Sequence, residues 1–217
     1  MADRGRGART ARRSRAPAGG AVALAAFVSV ALAAVLVVLG LGLAGRSAAA
    51  QPAGPVPVLA PPTGATGRPV DGIEAGDTEQ LAFHVHAHLQ IYVDGQQRAV
   101  PPGIGVVPPL QVEPTASGPF VVGGAAFYWL HTHDGSGVVH IESPVARPFT
   151  LGELFDLWGR PLGPDRVGPA RGPVTALVDG VVVAGDPRDI PLTAHAVVQL
   201  DVGTVVPFRP YSFPPGL

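Results

Sequence analysis

Hydrophobic and polar positions divide this chain into stretches of different period. Residues 21–45 run without a charge, built from Ala, Val, Leu, Gly, Phe and Ser. A helix of that length, at about 1.5 Å per residue, reaches across a hydrocarbon core of roughly 30 Å. Residues 46–76 are rich in Pro, Ala and Gly and carry no apolar period, which predicts an extended tether. From residue 77 to 217 strand signals dominate, and that length suits one hydrophobic core. Leu89-Gln90-Ile91-Tyr92-Val93 alternates and meets Asp94-Gly95, a two-residue hairpin turn. Val174 to Val178, Asp179-Gly180 and Val181 to Val183 repeat that arrangement, and Val138 to Glu142 parallels Val197 to Asp201. The repetition suggests two related β modules.

Helical period occurs once in this region. Thr150 and Glu153 have capping-box spacing, Phe149 can staple onto Leu154, and Leu151, Leu154, Phe155 and Trp158 form an apolar stripe that ends at Gly159. The expected fold class is a β-rich α+β domain of antiparallel hairpins. It carries one short capped helix and follows an N-terminal transmembrane or signal helix.

The polar half of the alternation is where the chemistry lies. In Phe83 to Ile91, period two puts His84, His86 and His88 on one face and Phe83, Val85, Ala87, Leu89 and Ile91 on the other. Residues 129–142 read as a second hairpin with its turn at Asp134 to Gly137. In that register His131 sits opposite His140, and His133, His140 and Glu142 share its face. If the first strand lies beside this hairpin, five or six imidazoles converge. Neutral imidazole suits Zn, Cu, Ni or Fe, and rigid strands fix ligands at alternating positions. The candidate metal ligands are therefore His84, His86, His88, His131, His133 and His140. Glu142 and Asp134 are candidates for ligand, orienting partner or proton-transfer group. Gln90 and Tyr92 continue the His84 face as ordinary strand residues or outer partners. Phe127, Tyr128 and Trp129 suit core packing, and His195, outside the dense region, suits a structural role. No Gly-x-Ser-x-Gly elbow or phosphate-binding loop marks another catalytic centre.

Composition narrows the chemistry. Cysteine is absent, so any metal is held by imidazole, carboxylate or main-chain oxygen. Zn or Cu fits that donor set better than Ca or Mg. From Arg46 onward nine arginines face fifteen acids, a formal charge of about −6, and lysine is absent throughout. Without a basic stripe, nucleic acid is not an expected partner. The remaining arginines, six of them, fall within residues 1–20 with one acid, which places the amino terminus inside and the rest outside the membrane. Ala48-Ala49-Ala50 offers a cleavage site, so the apolar run is either a retained single-pass anchor or a signal peptide. A protein partner is not identified by any motif.

His84-x-His86-x-His88-Leu89, Val93-Asp94-Gly95, Leu130-His131-Thr132-His133-Asp134, His140-Ile141-Glu142-Ser143-Pro144 and Phe149-Thr150-Leu151-Gly152-x-x-Phe155-Asp156-x-Trp158-Gly159 together resemble an uncharacterised family of exported bacterial and archaeal proteins. The resemblance covers roughly residues 80 to 160. It implies that the histidines and the helix belong to one design, and it implies no activity. The two His-x-His strands are also similar, in local ligand geometry alone, to the zinc-binding strands of α-type carbonic anhydrases. Three functions of different class follow as expectations. The first is a metal-binding protein for delivery, sensing or sequestration of copper or zinc. The second is a metalloenzyme with three His ligands and a carboxylate base, and the third an interaction domain with a structural or pH-responsive histidine layer.

Overall fold

The computed structural model describes residues 55–217. The arginine-rich stretch 1–20, the apolar run 21–45 and residues 46–54 of the expected tether lie outside them. Among the described residues no helix is long and apolar enough to cross a membrane.

Along the chain come β1 (Ala75–Gly76), β2 (Phe83–Val93), β3 (Gln96–Arg98), β4 (Val106–Val107), β5 (Gln111–Thr115), β6 (Gly118–Gly123), β7 (Ala126–Tyr128), β8 (Leu130–His131) and β9 (Val138–Ser143). The helix α1 (Leu151–Trp158) follows. After it come β10 (Leu162–Gly163), β11 (Arg166–Val167), β12 (Ala170–Arg171), β13 (Val174–Val178), β14 (Val181–Val183) and β15 (Val197–Val202). The main sheet has the order β14-β13-β15-β2-β9-β8, with β3 also paired to β2. Smaller sheets form from β1-β7-β4, β5-β6 and β10-β11-β12. The expected β-rich domain of antiparallel hairpins with one short α-helix is present among the described residues.

The longest strand, β2, organises the sheet. Its first half pairs antiparallel with β9, and its second half pairs antiparallel with β3. Along its other edge runs β15, in parallel. That parallel junction joins the two regions resembling modules. The hairpin turns agree with the repeat: Asp94 and Gly95 have φ 48° and 78°, and Asp179 and Gly180 have φ 52° and 84°. Both central residues thus take the positive φ that matches a hairpin turn to strand twist. The strand arrangement differs, however. β3 and β9 share one edge of β2, whereas β14 and β15 occupy opposite edges of β13. The turns repeat, and the topology around them does not.

One face of the sheet is apolar and meets α1. Ala87, Leu89 and Ile91 of β2, Val139 and Ile141 of β9, and Val198, Leu200 and Val202 of β15 join Leu151, Leu154, Phe155, Leu157 and Trp158 in one buried cluster. Each fully buried side chain of this size contributes about 1.5–3 kcal/mol. The helix starts as its sequence requires. Thr150 Oγ1 accepts from Glu153 N, Glu153 Oε2 accepts from Thr150 N at 2.7 Å, and Gly159 closes the helix in the left-handed conformation.

Residues 57–76, expected as part of an extended tether, run along the domain and hydrogen-bond to it. Leu59 N donates to Ala99 O at 3.0 Å, Thr63 N donates to Trp158 O at 2.9 Å, and Trp158 Nε1 donates to Ala60 O at 3.1 Å. Ile73 is fully buried. The proline-rich run lacks a period because it follows the helix end and a strand edge one backbone contact at a time.

Gly137 ties the β8–β9 turn to β2. It has φ +90°, its carbonyl accepts from Leu89 N at 2.8 Å, and a Cβ there would sit 2.2 Å from Leu89 O. Gly137→Ala should lower the unfolding free energy by more than about 2 kcal/mol, combining a strained φ with a backbone clash. Thr150→Ala, which loses only the helix cap, should cost about 1 kcal/mol. Chemical denaturation of the two variants checks the order, and equal losses would contradict this account of the turn.

Candidate metal centre

The second face of the sheet is polar and yet mostly buried. Strand register puts His86 beside His140 and His84 beside Glu142 on the β2–β9 pair, and His131 beside His140 on the β8–β9 pair. A row of three imidazoles thus crosses three adjacent strands, in the register read from the hairpin pattern. His133 follows β8 by two residues and keeps to the same side, its ring 4.5 Å from that of His140.

The donor atoms converge. His84 Nε2 and His86 Nε2 are 3.0 Å apart, and His84 Nε2 is 3.0 Å from Glu142 Oε1. His140 Nδ1 is 3.1 Å from the same Glu142 oxygen. On the other side of His140, His131 Nε2 and His133 Nε2 are 3.1 Å apart. Glu79 Oε1 stands 3.4 Å from His133 Nε2 and 3.7 Å from His131 Nε2, and Glu142 Oε2 is 3.9 Å from His131 Nε2. Three overlapping sets follow that could hold a metal ion: His84, His86, His140 and Glu142; His131, His133 and His140; and Glu79, His131 and Glu142.

Comparison with protein-family models, curated proteins and solved structures gives no match. The chemistry of the site therefore rests on its own geometry.

The imidazoles at the inner end have a defined hydrogen-bonding state. His131 Nδ1 lies 3.0 Å from Tyr128 O, and His133 Nδ1 lies 2.6 Å from Val121 O. A carbonyl only accepts, so both rings donate through Nδ1–H, and in the neutral rings both Nε2 atoms present lone pairs. Those two lone pairs face each other at 3.1 Å. A shared cation resolves such a contact; a hydrogen bond between two neutral rings in this state does not. Protonation is opposed by the surroundings. Burial, then the neighbouring His133, pushes His131 down to about 3, and burial also lowers His133. His86 is lowered to about 4 by burial and by His140. For Glu142, burial acts to raise the pKa, but the His140 hydrogen bond and the surrounding imidazoles hold it below the usual carboxylate value. His86, His131 and His133 are therefore neutral nitrogen donors near an ionised Glu142, the states in which both bind transition metals. Two nitrogens bonded to one tetrahedral ion at about 2.0–2.1 Å stand roughly 3.3 Å apart, close to both observed pairs.

Not every residue of the histidine pattern joins these sets. His88 shares the β2 face, but its Nε2 donates to Ser136 O at 2.9 Å and its ring stacks on Tyr211 with centroids 3.7 Å apart. Neighbouring strands, not face alone, decide where a ring is drawn, and at His88 the β8–β9 turn and the C-terminal segment take it. Asp134 is likewise committed to its turn, accepting from Ser136 N at 3.0 Å and from Ser136 Oγ at 2.5 Å. Gln90 and Tyr92 serve the C-terminal segment: Gln90 Nε2 donates to Arg209 O, and the Tyr92 hydroxyl reaches Gln90 Oε1. His195, as expected for a structural residue, bonds a backbone oxygen of Leu217 at 3.0 Å and packs against Phe213. Tyr128 is core, and Phe127 sits edge-on to His131. Glu79 has no counterpart in the sequence reading. It precedes β2 in a segment without period, and only the packing of that segment beside β8 brings it to the site.

Because His88 holds the C-terminal segment and not the ligand sets, His88→Gln should leave bound metal unchanged. It should speed amide exchange around residues 209–213, read by hydrogen–deuterium exchange mass spectrometry. Loss of metal with unaltered exchange would return His88 to the ligand set.

Proposed function

We propose that this protein is an extracytoplasmic transition-metal-binding protein, taking copper or zinc through imidazoles on adjacent strands for delivery, sensing or sequestration. One observation carries the reading: the His131 and His133 Nε2 lone pairs face each other at 3.1 Å while both Nδ1–H groups are spent on carbonyls. A layer built only to hydrogen-bond would turn at least one of these rings to donate. The donor set of imidazole and carboxylate without thiolate favours Zn(II) or Cu(II). The uncharged run 21–45 behind an arginine-rich start supports a domain outside the membrane, anchored or released by cleavage. The exported family that its motifs resemble supports the same placement.

A second reading draws on a cavity of about 270 Å³ that borders His133 and His140 and is also lined by Asp134, Ser136, Phe120 and Tyr211. A small molecule there would stand beside the ligand sets, as a metalloenzyme requires, with an open coordination position for water. Glu142, already engaged with the imidazoles, is poorly placed as a free base for that chemistry, so binding is the function we put first.

Elemental analysis of the tag-free protein tests the proposal. Wild-type chain should retain Zn or Cu, and His86→Ala and His131→Ala should each carry less metal than the wild type. Added metal at about a thousandfold over its Kd should stabilise the fold by roughly 4 kcal/mol, read as a rise in Tm that a chelator reverses. Unchanged metal content in both variants would remove the site assignment.

A further inference from the structure

We infer that the histidine face holds two transition-metal ions, one on each side of β9, bridged by the two oxygens of the Glu142 carboxylate. The inference rests on the metal-binding reading above and specifies its stoichiometry and architecture. Seven side chains point donors into this face, whereas a zinc ion in a protein site takes about four ligands. The donors also separate into two groups. His84 and His86 fall in one ligand set, His131 and His133 in another, and among the described residues no set contains both pairs. Each pair instead meets the ring of His140: His86 edge-on at 4.5 Å, His133 edge-on at 4.5 Å and His131 stacked at 5.3 Å.

Glu142 is shaped for the bridging role. Its Oε1 faces the first group, 3.0 Å from His84 Nε2 and 3.1 Å from His140 Nδ1. Its Oε2 faces the second, 3.9 Å from His131 Nε2, and is buried without a hydrogen-bond partner. A buried carboxylate oxygen left unpaired costs about 1–3 kcal/mol or more, so its orientation calls for a partner that the protein's own donors do not supply. A second cation, held by His131, His133 and Glu79, is that partner. With His84, His86, His140 and Oε1 on one ion and His131, His133, Glu79 and Oε2 on the other, each ion has four protein donors and every convergent nitrogen is used. Carboxylate-bridged pairs of this kind sit about 3.5–4 Å apart.

The test uses the full chain, purified without an affinity tag, stripped by chelator and loaded separately with Zn(II) and Cu(II). Desalted Zn-loaded protein should carry two ions per chain by elemental analysis. Cu-loaded protein should give the electron paramagnetic resonance of a coupled pair, including a half-field transition. His86→Ala and His133→Ala should each keep one ion, and Glu142→Gln should abolish the coupling. Circular dichroism establishes that each variant is folded, and wild-type stoichiometry and coupling decide the matter if a variant is not. One ion per wild-type chain overturns the two-ion centre and leaves metal binding standing. Two ions without coupling overturn the Glu142 bridge. No retained metal overturns this inference and the proposed function together.

Discussion

The structure depends on burying a polar sheet face. β2 has an apolar side that packs on α1 and a side of His84, His86, His88, Gln90 and Tyr92 that is also largely removed from water. Buried polar atoms destabilise unless partnered, so this second layer survives only if each donor and acceptor is matched. At the β15 side the matching is done by the chain itself. Gln199 Oε1 accepts from Arg209 N at 3.0 Å, Gln199 Nε2 donates to Val206 O at 3.2 Å, and Val206 N donates to Asp201 Oδ2 at 3.3 Å. At the β8–β9 side the backbone matches only the outer nitrogens, Nδ1 of His131 and His133, and the inner ones converge on one another. The same layer is thus completed by a peptide segment at one end, and at the other its donors form groups that could hold a cation.

Much of this was legible from alternation alone. Period two assigned the faces of β2, and the Asp134–Gly137 turn put His131 opposite His140, because a one-residue slip would have buried polar side chains in the α1 core. The helix was legible for another reason: Thr150, Glu153 and Gly159 act on backbone groups within a few residues of themselves, so local sequence contains the whole interaction. What escaped was set by distant packing. Nothing near Glu79 signals that its loop passes beside β8, and nothing near His88 signals that Tyr211 will stack on it. The docking of residues 57–76 also depends on partners such as Ala99 and Trp158 that are far away in sequence. The parallel pairing of β15 with β2 is of the same kind, for a parallel neighbour needs a long connection that leaves no turn signature.

A β-sheet frame has a consequence for how such a centre is held. The candidate ligands come from the segment before β2, from β2, from β8 and the residue pair after it, and from β9. No two neighbouring segments alone can assemble the whole set. The energy of binding an ion here would therefore be folding energy, since an unfolded chain presents these donors far apart. The alternating strand positions also limit adjustment: a ring on a strand can rotate, but its Cβ is held by the ladder, and at His140, between β2 and β8, it is held on both sides. The 3.0 Å pair comes from alternate residues of β2, and the 3.1 Å pair from the end of β8 and the residues after it.

That rigidity is graded across the face, and the gradient bears on whether a cargo could be released. His131 is fully buried, and Glu142 is 2% exposed, so these donors form a floor that water does not reach. His84 and Glu79 are 37% and 34% exposed and stand at the rim. Each of the two donor groups contains one rim residue and one or more floor residues. A rim ligand can exchange its metal bond for water with little loss, whereas a floor ligand that lets go leaves a desolvated lone pair or charge behind. Release would therefore begin at His84 and Glu79, and an acceptor offering its own nitrogen or oxygen donors at that rim could take over the coordination one ligand at a time. A centre that had only to keep its ion would gain by burying those two residues as well, so their exposure agrees better with the proposed delivery than with the proposed sequestration.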